Sequence, residues 1–178
     1  EVGPGVTSLS AGDRVMGMGM GTFSRETRID ERLLVRIPER LSFDEAATVP
    51  AVYLTALFAF ETLGSIRPGD KVLIHAAAGG VGMAAVHLAR AQGAEVFGTA
   101  SESKWPALRA LGLDDAHIAS SRDVSFEQKW SGIGFDLVLN ALAKEYVDAS
   151  LRLMRGGDFL EMGKTDVRDA EQVARDHV

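Results

Sequence analysis

The chain has 178 residues, of which 46% are hydrophobic and 25% charged, a composition that suits a globular protein with a sizeable core rather than a disordered tail. Its net charge of −6 argues against a broad electrostatic surface for nucleic acid, and no apolar run reaches the roughly 18 residues of a membrane helix. The absence of cysteine excludes disulfides, thiolate catalysis and cysteine-ligated zinc, and it fits a reducing, cytoplasmic compartment.

Residues 1–40 predict a small β-rich unit. Turn signals such as Gly12-Asp13 alternate with short strand-like runs over 14–16 and 32–37, and Pro38 closes the second run. The segment lacks any long helical pattern. We expect it to be part of a larger β-rich domain.

The pattern changes to α/β over residues 41–178. An S-x-x-E capping box at Ser42 and Glu45 predicts a helix from about Phe43 to Leu63. Beyond it, strands and helices alternate: strands are predicted over 71–76, 95–99, 116–120, 135–140 and 158–162, and helices over 81–91, 104–111, 126–130, 144–154 and 169–176. Repeated β–α–β order predicts right-handed crossovers, and so a Rossmann-like, doubly wound parallel sheet.

A glycine-rich turn joins the strand over 71–76 to the helix over 81–91. In the pattern G-x-G-x-x-G, Ala77 replaces the first glycine, and Gly79 and Gly82 hold the other two places. Gly79 allows the backbone to approach a pyrophosphate, Gly82 allows close packing of helix and strand, and the helix N-terminus offers free amides. The strand–turn–helix context predicts a dinucleotide site. Its candidate residues are His75, Ala77, Gly79, Gly80, Val81 and Gly82. For His75, a hydrogen-bonded structural role is an equal alternative.

The following strand indicates which dinucleotide is bound. NAD sites usually place an acidic residue about 20 residues further on, to bond the adenosine ribose. Neutral Thr99, Ala100 and Ser101 take that place here, with Lys104 three residues later and Arg122 after the next strand. Hydroxyls and a cation suit a 2′-phosphate, so the pattern favours NADPH over NADH. Each cation has the alternative of a solvated loop charge, which for Arg122 is nearly as plausible.

Two other kinds of site are rejected. His87, His117 and His177 have no carboxylate or histidine at ligand spacing, so no metal site is predicted. The sequence also lacks a Ser/His/Asp arrangement with a nucleophile elbow, which argues against acyl hydrolysis.

The enoyl reductase domains of modular (type I) polyketide synthases resemble this chain in six segments: 72–85, 101–105, 109–122, 136–140, 147–153 and 156–166. These domains belong to the zinc-free branch of the medium-chain dehydrogenase/reductase superfamily. The run Glu161-Met-Gly-Lys-Thr-Asp166 is a more specific feature than the glycine-rich turn, and the lack of cysteine agrees with the zinc-free branch.

The resemblance implies a chemistry. Hydride passes from NADPH to the β-carbon of an enoyl thioester on an acyl carrier protein, and a proton is added at the α-carbon. Lys164 matches a candidate proton donor or enolate stabiliser, although on spacing alone an exposed turn lysine is the simpler interpretation. By the same match Asn140 lines the nicotinamide region, and Met162 and Gly163 are candidate cofactor-binding residues. Thr55 matches a position that contacts the cofactor, with a helix hydroxyl bonded to the preceding turn as the alternative.

The resemblance also implies partners and an architecture. Neighbouring synthase domains, a ketoreductase among them, are expected in antibiotic biosynthesis, and no nucleic-acid or membrane partner is expected. Residues 1–40 match part of a GroES-like substrate domain, and the chain stops before the sixth strand of the family's sheet. Two alternatives stay open: a free-standing zinc-free quinone or enone oxidoreductase, and a non-catalytic nucleotide-binding fragment.

Overall fold

The computed structural model describes residues 1–177, which form two compact units. The first is Glu1–Leu54, and the second begins at Thr55. The division falls inside a helix, whereas the subdomain boundary predicted from the sequence lies near residue 40. The assignment of the first unit to a substrate domain stays a prediction.

The first unit contains a two-stranded antiparallel sheet of β1 (Val15–Gly17) and β2 (Leu34–Arg36). Helix α1 (Phe43–Ala47) begins at Ser42, and the predicted capping box is confirmed. The Ser42 hydroxyl accepts a hydrogen bond from the Glu45 amide at 3.2 Å, and the Glu45 carboxylate accepts one from the Ser42 amide at 2.8 Å.

The predicted single helix over 43–63 is divided into three parts. Helix α1 ends at Ala47 and is capped by Thr48, α2 (Val49–Phe58) follows at once, and a π-helical turn covers Ala59–Leu63. Pro50 in the first turn of α2 has no amide hydrogen to continue the α1 ladder, which accounts for the break. Taken together the 21 residues are long and apolar enough to cross a membrane by length and composition alone. A core helix of a soluble protein passes the same test, so this finding does not identify a membrane segment.

The second unit is a parallel sheet covered by helices. Its strands are β3 (Lys71–Ile74), β4 (Glu95–Ala100), β5 (Ile118–Ser120), β6 (Phe135–Asn140) and β7 (Met154–Glu161). Its helices are α3 (Gly80–Ala91), α4 (Trp105–Ala110), α5 (Ser125–Lys129), α6 (Glu145–Arg152) and α7 (Ala170–His177). The order β5-β4-β3-β6-β7 confirms the predicted Rossmann-like α/β fold.

A buried aromatic cluster packs against one face of this sheet. Phe97 packs edge-to-face against Phe135 at 5.0 Å and against Trp130 at 5.5 Å between ring centroids. Phe126 and Leu73 belong to the same buried cluster. Burial of strand residues on both faces explains the continuous apolar runs in the sequence.

The order of the strands locates the functional edge. From β3 the chain passes to β4 on one side, and it later returns to place β6 on the other side. Ligands of such sheets bind beyond the carboxyl ends of the strands at this point of reversal. The candidate site therefore lies beyond the ends of β3 and β6.

Candidate cofactor-binding and active site

The turn that follows β3 is held by both neighbouring strands. The His75 amide donates to the Leu139 carbonyl of β6 at 3.0 Å, and the Ala77 amide donates to the Thr99 carbonyl of β4 at 2.9 Å. Between them, Ala76 adopts a left-handed conformation with φ of 49°. This conformation could not be predicted from the sequence, because alanine carries no signal for a left-handed turn.

The two glycines of the pattern are required for different reasons. A Cβ on Gly82 would overlap the Ala76 carbonyl oxygen and come within 2.6 Å of the Ala77 Cα. A Cβ on Gly79 would meet the Ala76 carbonyl oxygen at 3.2 Å, a tighter contact than most real side chains make. The turn therefore packs directly on the first turn of α3.

The N-terminus of α3 is suited to an anion. Gly79 caps the helix without a side chain, and the first intrahelical hydrogen bond runs from the Met83 amide to the Gly79 carbonyl at 2.8 Å. The amides of Gly80, Val81 and Gly82 thus precede the hydrogen-bonded ladder. Free amides and the positive end of the helix dipole fit the pyrophosphate of a dinucleotide.

His75 lies inside the core beneath this turn. Its Nδ1 is 2.9 Å from the Thr99 hydroxyl, and its Nε2 is 2.8 Å from the Ser150 hydroxyl. The Ser150 hydroxyl donates to the Tyr146 carbonyl at 2.6 Å, so it accepts from an Nε2–H of His75. Burial lowers the pKa of His75 to about 3, and the ring is neutral at physiological pH. This geometry favours the structural alternative for its side chain.

The candidates for a 2′-phosphate site follow β4 and β5, which are adjacent strands. Ser101 comes directly after β4 and is half-buried, and Lys104 ends a short 3₁₀ turn with an exposed side chain. Arg122 lies two residues beyond β5 and is also exposed. The Trp105 indole donates to the Ala100 carbonyl at 3.2 Å, which holds the segment against the end of β4. Both loops lie at the carboxyl edge of the sheet.

Asn140 ends β6 and is fully buried. Its amide nitrogen donates to the Leu142 carbonyl at 2.8 Å and to the Glu161 carboxylate at 2.6 Å. Its side-chain oxygen accepts from the Leu142 amide at 3.2 Å, and its backbone carbonyl accepts from the Met162 amide at 3.0 Å. The side chain thus connects the ends of β6 and β7.

Lys164 lies in the turn after β7 and is exposed. The turn is fixed on its N-terminal side, where the Gly163 amide donates to the Glu161 carboxylate at 2.5 Å. On its C-terminal side the Asp166 carboxylate accepts from the Lys144 amide at 2.5 Å and pairs with the Arg168 guanidinium at 2.7 Å. Arg168, and then the Lys144 amide, lower the pKa of Asp166. These contacts could not be predicted from the sequence, since nothing in the local pattern marks them.

The structure places most predicted site residues at one edge of the sheet. These residues follow the carboxyl ends of strands or end them: Ala77, Gly79, Gly80, Val81, Gly82, Ser101, Lys104, Arg122, Asn140, Met162, Gly163 and Lys164. Thr55 differs, because it lies within α2 rather than at the end of a strand.

His117 has carboxylate partners that its spacing did not reveal. Its Nδ1 is 2.6 Å from Asp114, three residues earlier, and its Nε2 is 3.1 Å from Glu95 at the start of β4. The prediction that His117 has no carboxylate at ligand spacing is therefore wrong. Among the side chains that the structure describes, no group of three or more His, Cys, Asp or Glu could hold a metal ion.

The chain is similar to a family of dehydrogenases and to parts of several polyketide synthases. Residues 80–174 match the model of the zinc-binding dehydrogenase family. The chain is 59% identical over 180 residues to the pikromycin polyketide synthase component PikAII of Streptomyces venezuelae, covering 98% of this chain and 5% of that protein. It is also 57% identical over 178 residues to polyketide synthase GfsB of Streptomyces halstedii, with 99% and 3% covered. The chain therefore spans only a small part of these curated relatives.

Solved structures agree with these relatives. The CurK enoyl reductase aligns with a TM-score of 0.90 and 42% identity over 98% of this chain and 54% of that one. The nucleotide-binding subdomain of the PpsC enoylreductase domain of Mycobacterium tuberculosis aligns with a TM-score of 0.61 and 40% identity, covering 66% of this chain and 68% of that one.

These relatives suggest two bound groups, zinc and a dinucleotide, and only the dinucleotide fits the residues that the structure describes. Zinc, named in the family description, has no fitting ligand set among the described residues, and the sequence has no cysteine. A dinucleotide fits, because the α3 N-terminus presents free amides at a turn where position 82 tolerates no side chain.

Proposed function

Since the chain belongs to the enoyl reductase domains of polyketide synthases, in the medium-chain, zinc-binding dehydrogenase family, we propose that it is an NADPH-dependent enoyl-thioester reductase. The substrate is an α,β-unsaturated acyl thioester on an acyl carrier protein. Hydride is added at the β-carbon and a proton at the α-carbon. One observation carries the proposal: the glycine-rich turn, the Lys104 loop and the Lys164 turn all lie at one edge of the sheet.

The cofactor is bound through backbone and side-chain donors. The amides of Gly80, Val81 and Gly82 hold the pyrophosphate at the positive end of α3. Ser101 and Lys104, with Arg122 from the adjacent loop, bind the 2′-phosphate. When bound, NADPH supplies the hydride.

The Lys164 ammonium serves the reacting thioester. Negative charge develops on the thioester oxygen as the β-carbon is reduced, and a positioned cation stabilises that charge. The same group, or a water that it orients, then delivers a proton to the α-carbon. In this proposal Met162 and Gly163 line the nicotinamide region and Thr55 contacts the cofactor, whereas the fully buried Asn140 supports that region by joining the ends of β6 and β7.

The partners follow from the relatives. PikAII and GfsB are polyketide synthase proteins of which this chain matches a small part. We infer that the chain works beside other synthase domains, such as a ketoreductase, and receives its substrate from a carrier protein. The compartment we infer is the cytoplasm.

Two measurements test the proposal. Nicotinamide fluorescence during titration of the 178-residue chain compares NADPH with NADH, and tight binding of NADPH alone is expected. Crotonyl thioester reduction is then assayed in the protein with all the flanking sequence that its gene encodes. Cofactor binding without thioester reduction in that protein would contradict the assigned reaction. A preference for quinones over thioesters would indicate a zinc-free quinone or enone oxidoreductase.

A further inference from the structure

Glu161 is the last residue of β7, and its carboxylate reaches two separate donors. Oε2 accepts from the Asn140 amide nitrogen at 2.6 Å, and Oε1 accepts from the Gly163 backbone amide at 2.5 Å. Asn140 and Glu161 are also paired in the register of β6 and β7. One carboxylate therefore joins the ends of two strands to the first residue of the turn that bears Lys164.

The position of Gly163 shows how close this contact is. A Cβ at position 163 would come within 2.7 Å of Glu161 Oε1. The glycine thus leaves room for the carboxylate to bind the backbone. The Lys164 Cα is one peptide unit beyond this hydrogen bond, so the carboxylate fixes where the lysine side chain starts.

A carboxylate is the one side chain of this shape that accepts at both oxygens. Glutamine keeps one acceptor and turns the other position into a donor, which would face either the Asn140 amide nitrogen or the Gly163 amide. One of the two hydrogen bonds is then lost, and two donors are placed against each other. Position 161 therefore requires a side chain with two hydrogen-bond acceptors, and a side chain of the same size is not sufficient.

We propose that Glu161 is a positioning residue that orients Lys164 for its reaction with the substrate. This inference rests on the function proposed above, since it acts through Lys164. Glu161 itself does not touch the reacting atoms in this mechanism. Its contribution is to keep the ammonium in the place where charge develops.

The test is a set of four variants in the protein with its natural flanking sequence: Glu161→Gln, Lys164→Ala, their combination, and Glu127→Gln. Glu127 is the matched control, because its carboxylate also accepts two hydrogen bonds, from Arg152 at 2.6 and 3.0 Å, in another part of the unit. We expect Glu161→Gln to lower kcat for crotonyl thioester by about 10- to 100-fold. KM for NADPH should change less than about twofold, and Glu127→Gln should leave kcat near the wild-type value.

The combined variant separates positioning from a general structural role. Once Lys164 is alanine, Glu161→Gln has nothing left to position, so the double variant should match Lys164→Ala within about twofold. A kcat that falls by the same factor in both backgrounds would overturn the proposal. So would a Glu161→Gln variant with unchanged kcat.

Amide hydrogen exchange at Gly163 gives a result that does not depend on turnover. Exchange should accelerate at least about tenfold in Glu161→Gln and stay near the wild-type rate in Glu127→Gln. If the wild-type protein does not reduce enoyl thioesters, the proposed reaction fails, and the exchange rate still decides whether Glu161 holds the turn. Unchanged Gly163 exchange would overturn the role of Glu161 even in an active reductase.

Discussion

The methyl group of Ala77 lies directly against Gly98 of β4. A Cβ built on Gly98 would come within 2.8 Å of the Ala77 Cβ, in a region where Ala77 is fully buried. The Ala77 amide donates to the Thr99 carbonyl at 2.9 Å, and this hydrogen bond keeps the turn from moving away from β4. The turn carries alanine where the dinucleotide pattern has its first glycine, and the neighbouring strand provides a glycine opposite it.

We predict that Gly98→Ala destabilises the second unit by about 1–3 kcal/mol, because an added methyl group overpacks a closed space. Leu113 also lies within 3.2 Å of the added Cβ and limits relaxation. Chemical denaturation followed by tryptophan fluorescence measures the change. The reciprocal pair Ala77→Gly with Gly98→Ala should recover a large part of the loss. A double variant that is no more stable than Gly98→Ala would show that the contact with Ala77 is not the cause.

The arrangement of the sheet could be predicted from the sequence because it depends on local patterns. Continuous apolar runs such as 72–74 and 137–139 are characteristic of strands buried on both faces, and they alternate with helical segments. In a parallel sheet the segments after residues 76, 100 and 140 all lie at the carboxyl edge, and this placement can be predicted without any side-chain contact. The fold and the placement of the site follow from that order.

Contacts between distant residues could not be predicted in the same way. His117 meets Glu95, 22 residues away, only because β4 and β5 are adjacent, and Asn140 meets Glu161 through the pairing of β6 with β7. The left-handed Ala76 is determined by hydrogen bonds to both neighbouring strands rather than by its own preference. Register and tertiary packing decide such features, and a single sequence does not display them.

We predict that Lys104→Glu weakens NADPH binding at least about tenfold more than NADH binding. The substitution replaces a cation with an anion where the 2′-phosphate is proposed to lie, and NADH has no phosphate there. Titration with each cofactor, followed by nicotinamide fluorescence, measures the two dissociation constants. Arg67→Glu is the control, since Arg67 precedes β3 at the opposite edge of the sheet. If Lys104→Glu weakened the binding of NADPH and NADH equally, Lys104 would not bind the 2′-phosphate.

The buried His75 predicts a loss of stability in mild acid. Burial lowers its folded-state pKa to about 3, whereas the unfolded imidazole titrates near about 6.5. As the pH falls below about 6.5 the unfolded chain takes up a proton that the folded protein excludes. The free energy of unfolding therefore decreases by up to about 1.4 kcal/mol per pH unit. Denaturation between about pH 6.5 and pH 5 measures this slope before the carboxylates begin to titrate.

The variant His75→Gln identifies the origin of that slope. It is expected to be less stable at every pH, because it disturbs the hydrogen bonds to Thr99 and Ser150. Its stability should nevertheless depend much less on pH in the same window. A variant that keeps the full wild-type slope would assign the acid sensitivity to other groups.

His117 predicts the opposite dependence on the alkaline side. Partial burial lowers the pKa of His117, but the hydrogen bonds and charges of Asp114 and Glu95 outweigh that effect, and the net pKa is raised. The stabilisation is complete below the unfolded pKa of about 6.5 and is lost as the pH rises through the folded value. Because the carboxylates are partly exposed, the loss should be less than about 1 kcal/mol. Thermal melts of wild type and His117→Gln between pH 6 and pH 9 measure this loss. The difference in stability between the two proteins should shrink as the pH rises. A constant difference would show that the charge on His117 does not contribute to stability.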